Sequence, residues 1–247
     1  MTRANSSFTW STGLSELVFT GGGRARALVV VRRRGVRAMR LSVDPRDASV
    51  RLSLPPRAPL RSALAWAAGK RHWVEAQLAA LPGGTPVAPG MALLVGGDVL
   101  ALDWSPLHPR AVVRAGEVLR IGGPLESLAP RLLRWLRREA LGLLGAETRA
   151  LAGAHGISVG RVGVGDPKGR WGSCATSGDI RYSWRLILAP SHVRRATVAH
   201  EVAHRVHMNH GKDFHALVAE LHGGDPADAR RWLREHGPAL HWFGRDG

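Results

Sequence analysis

Only on an α-helix can His200, Glu201 and His204 of the stretch "HEVAHRVHMNHG" (His200–Gly211) serve one site. Residues four apart on a helix stand on one face, about one turn from each other. Any fold for this chain must therefore hold that helix with one face turned towards a ligand. Two imidazoles at this spacing can grip one tetrahedral zinc. A glutamate next to the first of them reaches the remaining coordination position and can take a proton from water there. With 12 His and 9 Glu in 247 residues, the pattern arises by chance about 0.02 times, and a further His at a fixed offset lowers this about twentyfold. The competing explanation is a core helix of Val198, Ala199, Val202, Ala203 and Val206 that carries histidines incidentally. It leaves a glutamate buried without a partner, which is costly, whereas a metal and its water satisfy both the glutamate and the histidines.

A third ligand is needed. His210 lies six residues past His204, so it cannot continue the same helical face. The spacing predicts a helix break near Met208-Asn209, with Asn209 and Gly211 supplying left-handed backbone. His210 leads for the third position; His215 and Glu220 compete, the latter as in His₂Glu zinc sites. His207, three residues after His204, reads as a surface residue in preference to a support for the ligands, and Cys174 as a buried thiol outside the coordination sphere.

The rest of the chain reads as α+β. Strands are expected at Glu16–Thr20, Ala27–Val31, Arg37–Val43 and Ser49–Leu54, each aliphatic and bounded by Gly, Asp or Pro. A single helix is expected from Pro59 to Leu81, then hairpins at Gly96-Gly97-Asp98 and Gly116-Glu117. Leu128, Leu132, Leu136, Leu143 and Leu151 mark a long amphipathic helix over Leu125–Ala154, ended by His155-Gly156. Strands over Ser158–Val164 and Asp179–Leu188 follow, then a helix capped by Ser191 and short helices over Asp213–His222 and Asp225–His236. No internal repeat is visible. This ordering predicts an N-terminal β-rich lobe with one helix over residues 1–122, followed by a C-terminal lobe over residues 123–247 that carries the histidines.

The formal net charge of +16 points to nucleic acid or an anionic membrane surface. Yet 32 arginines against three lysines reads as GC-rich coding, and the arginines are spread along the chain. Arg131, Arg134 and Arg138 line one helical face opposite the leucines, the pattern of a solvated face. Weak, sequence-independent nucleic-acid binding is the expectation. The single cysteine excludes an internal disulfide framework. No apolar run is long enough to span a membrane, and "MTRANSSFTWSTG" lacks an apolar signal core. A cytoplasmic protein is expected.

Three motifs resemble the YgjP-like metallopeptidase family, zincin-type proteins related in pattern to SprT-like proteases. They are "GRWGSC" (Gly169–Cys174), "WRLILAP" (Trp184–Pro190) and "HEVAHRVHMNHGKDF" (His200–Phe214). The early strands, the "PPRAPL" to "HWV" helix and the "LLVGGDVLAL" hairpin match in order as well. Ser183, Arg195-Ala196 and His215 depart from the residues usual in the family. The resemblance implies zinc on His200, His204 and His210, Glu201 as the catalytic carboxylate, a peptide or protein substrate, and a zincin-like C-terminal lobe. In such architecture a strand borders the cleft and can receive a peptide by β-augmentation. Trp171 and Gly172 read as packing and turn residues.

The function expected is zinc-dependent hydrolysis of peptide bonds, with Glu201 activating the water. Tyr182, Arg170 and Arg185 are candidates to stabilise the oxyanion; residues that bind substrate are not identified. Two alternatives stand beside it. One is a metal-dependent hydrolase of a nucleotide or other phosphate-containing substrate, which many arginines would suit. The other is a nucleic-acid-associated protein with a structural zinc, which normally needs four protein ligands.

Overall fold

The computed structural model describes residues 17–21 and 24–245. The stretch "MTRANSSFTWSTG" and the first residue of the expected opening strand, Glu16, lie outside the described residues. Contacts divide the chain into two compact units, Met1–Gly83 and Gly84–Gly247.

The first unit is a four-stranded sheet with two helices. Its strands are β1 (Val18–Gly21), β2 (Arg24–Arg32), β3 (Arg40–Val43) and β4 (Val50–Leu54), in the order β1-β2-β4-β3. In β4 the side chains alternate between buried and half-buried, as a sheet with one covered face requires. Val50, Leu52 and Leu54 pack with Phe19, Leu28, Ala63, Leu64, Ala67 and Val74. The one helix expected after Pro59 is two, α1 (Leu60–Ala68) and α2 (Arg71–Ala79). Gly69 caps the first helix at a place where glycine weakens helical continuation.

The second unit begins with another four-stranded sheet: β5 (Ala92–Val95), β6 (Asp98–Trp104), β7 (Val113–Ala115) and β8 (Val118–Ile121), ordered β5-β6-β8-β7. In both sheets the outer pairs are antiparallel and the central pair parallel. The strand topology thus repeats where the sequence does not, because ladder pairing is made by backbone. The long helix α3 (Leu128–Ala154), preceded by a 3-10 turn at Leu125–Ser127, packs on this second sheet.

The boundary expected at residue 122 therefore runs through a core, since Leu100, Leu102, Leu119 and Ile121 cluster with Leu128, Leu132 and Leu136. Gly122 sits against the His108 carbonyl with no space for a Cβ, and the Trp104 indole donates to the Gly123 carbonyl. These contacts tie the end of the sheet to the start of the helix.

Next come β9 (Val162–Gly165), β10 (Gly172–Cys174) and β11 (Ile180–Ser183), a three-stranded sheet ordered β10-β11-β9. The strand expected over Asp179–Leu188 ends at Ser183 and turns into a 3-10 helix, Trp184–Leu188. All five residues of that turn are buried, so no face is left for alternation. The Ser183 hydroxyl accepts from the Arg185 amide, which favours the turn. Helices α4 (Ser191–Ala203), α5 (Lys212–His222) and α6 (Ala227–Trp242) complete the unit. Pro190, not Ser191, occupies the cap position of α4; the Ser191 hydroxyl instead lies against Gly97 of the β5–β6 hairpin. Pro226 occupies the cap position of α6, Asp225 just before it accepts from the Ala227 amide, and the helix runs past the expected His236 to Trp242 with Pro238 inside it. No helix among the described residues is long and apolar enough to cross a membrane.

Candidate metal centre

Helix α4 is buried on most of its circumference, with Val193, Ala196, Val198, Ala199, Val202 and Ala203 all in core clusters or interior positions. Such a helix is fixed by its neighbours rather than by its own propensity. One interior anchor is ionic: Arg194 forms a two-pronged pair with Glu147 of α3, with N–O distances of 2.8–3.0 Å. The last turn of α4 carries His200 and Glu201, and His204 is its C-cap.

The helix ends at Ala203, a full turn before the break expected at Met208-Asn209. Val206, expected on the buried side, is accordingly 53% exposed. The return is made by turns that hydrogen-bond to Ala203, the Val206 and His207 amides both donating to its carbonyl. Neither Asn209 nor Gly211 adopts left-handed backbone; Gly211 is extended at φ −79°, ψ −175°. The reversal brings His210 back against the helix end.

His200, His204 and His210 each offer a ring nitrogen, and these atoms lie within 4.8 Å of one another. The Nε2 atoms of His200 and His210 are 3.3 Å apart. Two imidazole nitrogens on one tetrahedral zinc stand about 3.3 Å apart, from bond lengths of about 2.0–2.1 Å, so the spacing fits such an ion. His204 Nδ1 lies 3.1 Å from the carbonyl oxygen of His207. Donation from Nδ1 leaves the Nε2 lone pair of His204 for a ligand, the orientation that metal-binding histidines require. His207, read as a surface residue, thus contributes through its backbone carbonyl. Burial, and then the neighbouring histidines, push the His200 imidazole down to about 4. It is neutral, with a lone pair to give, at any ordinary pH.

Phe214, on the first turn of α5, is buried beneath all three rings, with centroid distances of 4.6–4.9 Å. It forms an apolar floor that holds the imidazoles in place. Sequence reading passed over it; its position as the first apolar residue of an amphipathic helix, four after His210, was the available signal. The two competitors are elsewhere: His215 is exposed, its ring 6.4 Å from that of His210, and Glu220 lies beside His155. Cys174 is also apart from the cluster, its thiol half-buried and pushed up by burial.

Glu201 is 4% exposed, and its Oε2 has no hydrogen-bond partner among the described residues. An unpaired buried carboxylate oxygen costs free energy and calls for a proton, a water or a cation. Burial pushes its carboxyl up to about 7, partly offset by the positive charge of Arg170. The carboxylate lies over Gly172 of β10, so Gly172 does more than bend the chain: a side chain there would displace the glutamate. Trp171, expected to be buried, is half-buried and lines a cavity together with His200 and Glu201.

Of the three oxyanion candidates, two are committed elsewhere. Thr148 donates to the Leu144 carbonyl, so the fully buried Tyr182 hydroxyl donates to Thr148. Arg185 is buried on Asp166 and on the carbonyls of Leu240 and Phe243. Arg170 lines the cavity beside Glu201.

The family model described as "YgjP-like, metallopeptidase domain" matches residues 37–236 of the chain. No curated protein and no solved structure matches it.

Proposed function

We propose that this chain, which belongs to the YgjP-like metallopeptidase family, is a zinc peptidase of the zincin type, with His200, His204 and His210 as the metal ligands and Glu201 as its general base. Membership of the family implies a hydrolase that uses a metal and acts on peptide or protein substrates. One observation carries the finer reading: three histidine nitrogens converge within 4.8 Å beside a buried glutamate whose Oε2 has no partner among the described residues.

Held by His200, His204 and His210, zinc would be the Lewis acid that makes water more acidic and polarises a carbonyl. The proton is handled by Glu201. Its Oε2 accepts a proton from the attacking water and returns it to the departing amine nitrogen. A carboxyl held near 7 is suited to both steps at neutral pH. His204 is kept in one tautomer by the His207 carbonyl, and the Phe214 floor limits movement of all three rings. β10 is an edge strand beside Glu201, so its backbone can receive an extended peptide as an added strand.

Peptide and phosphoester libraries presented to the zinc-loaded chain test the reading. Cleavage confined to peptides is expected. Turnover of nucleotides or other phosphoesters without peptide cleavage would contradict it.

A further inference from the structure

Beside His200, a half-open pocket of about 270 Å³ is bounded by α4, α5, α6 and the start of β10. His200 and Glu201 form part of its wall, so its contents lie against the groups assigned to the reaction. Most of the remaining wall is apolar, from Trp171, Val218, Pro226, Ala229 and Leu233. Val218 and Ala229 are each 2% exposed and packed in the core clusters, so this part of the wall is fixed by its neighbours. An apolar cavity of about 150 Å³ already accepts benzene. The volume here suits one large aliphatic or aromatic side chain.

Two exposed arginines, Arg170 and Arg230, also line it, and Glu201 is the sole acidic residue among the described residues that do. Arg170 forms no hydrogen bond or ion pair with any described residue. Arg230 has a long 3.4 Å contact with Asp225, both side chains being more than half exposed. Exposed pairs of this kind hold little energy, so the guanidinium can turn to another carboxylate.

Resting on the peptidase reading, we infer that this cavity receives a large apolar side chain next to the scissile bond, and that Arg170 and Arg230 select an acidic residue adjoining it. The substrate class is thus a peptide in which Leu, Met or Phe stands beside Glu or Asp. The apolar residue leaves water for the Trp171–Leu233 wall, and the neighbouring carboxylate meets two cations at the mouth.

Four fluorescein-labelled Gly/Ser peptides test this, carrying Leu or Ser at the centre and flanked on both sides by Glu or by Lys. Binding is read by fluorescence anisotropy on the full chain with and without zinc, and cleavage is followed in parallel. The Leu peptide flanked by Glu should bind at least about tenfold more tightly than its Ser counterpart. It should also outbind the Lys-flanked Leu peptide, by a margin that shrinks as salt rises. Ala229→Phe fills the cavity and should remove the Leu preference; Arg230→Gln should weaken only the Glu preference. Should Ala229→Phe fail to fold, Leu233→Ala enlarges the cavity and should shift preference from Leu towards Trp, read with a fifth, Trp-centred peptide flanked by Glu. Equal binding of the Leu and Ser peptides, or a Leu preference untouched by these cavity variants, overturns the inference. Tight, selective binding without cleavage would leave the pocket standing and contradict the peptidase reading, while cleavage without a Leu preference would do the reverse.

Discussion

The Glu201 carboxylate rests on the backbone of Gly172: a Cβ at that position would lie 2.7 Å from both Cγ and Cδ of the glutamate. No side chain can be added there unless the carboxylate moves. Gly172→Ala should therefore displace Glu201 and lower kcat by about tenfold or more, since misplacement of a catalytic group by about 1 Å can cost about 10²-fold. Metal content should be unchanged, because the three atoms nearest an added Cβ all belong to Glu201 and none to a histidine. Steady-state kinetics beside elemental analysis of the same preparation check this.

The metal account is tested by composition alone. The purified chain should hold about one zinc, and His200→Ala, His204→Ala and His210→Ala should each lose it. Inductively coupled plasma mass spectrometry after dialysis reads the result. Stoichiometric zinc in His210→Ala would move the third position to another residue.

The histidine spacing was legible in the sequence because the helical period is local: His200, Glu201 and His204 needed only α4 to converge. Residues 205–210 were harder. The path that returns His210 depends on hydrogen bonds to Ala203, and no left-handed residue marks it. Phe214, Gly172 and the His207 carbonyl act at the site through contacts across elements, which periodicity does not encode. The same limit explains the boundary expected at residue 122. Alternation shows that β5–β8 is a sheet, but not that its covered face packs on α3. Trp184–Leu188 reads as a strand because four of its five residues are aliphatic or aromatic, whereas burial on every side allows a 3-10 turn instead.

Breaking the anchor of α4 should be expensive. Arg194 is 3% exposed, and Glu147 is its acidic partner. Glu147→Ala leaves a buried guanidinium without a counter-charge, which should cost about 3–5 kcal/mol. Urea denaturation of the two proteins measures the difference. A loss below about 1 kcal/mol would show that the pair is not what fixes the helix.

Acid should release the Asp166–Arg185 pair. Burial alone would raise the Asp166 carboxyl, but two hydrogen bonds from Arg185 and its charge outweigh burial and hold it below its ordinary 3.8. A carboxyl depressed in the folded chain contributes stability above pH 3.8 that disappears as pH falls through the lower folded-state value. Asp166→Asn should therefore be less stable than the parent near neutral pH, and the two denaturation curves should converge in acid. A gap that persists at low pH would mean that the ionised pair is not its source.

The most direct measurement is the hydrolytic rate of Glu201→Gln on a cleaved peptide, taken with its zinc content and thermal unfolding. Glutamine preserves the shape of the buried side chain but cannot accept the water's proton. The expected protein is folded and zinc-loaded, with a rate lower by about 10²–10⁴-fold. A zinc-loaded, folded Glu201→Gln that keeps its rate within a few-fold would contradict the assignment of Glu201 as general base, and with it the proposed mechanism.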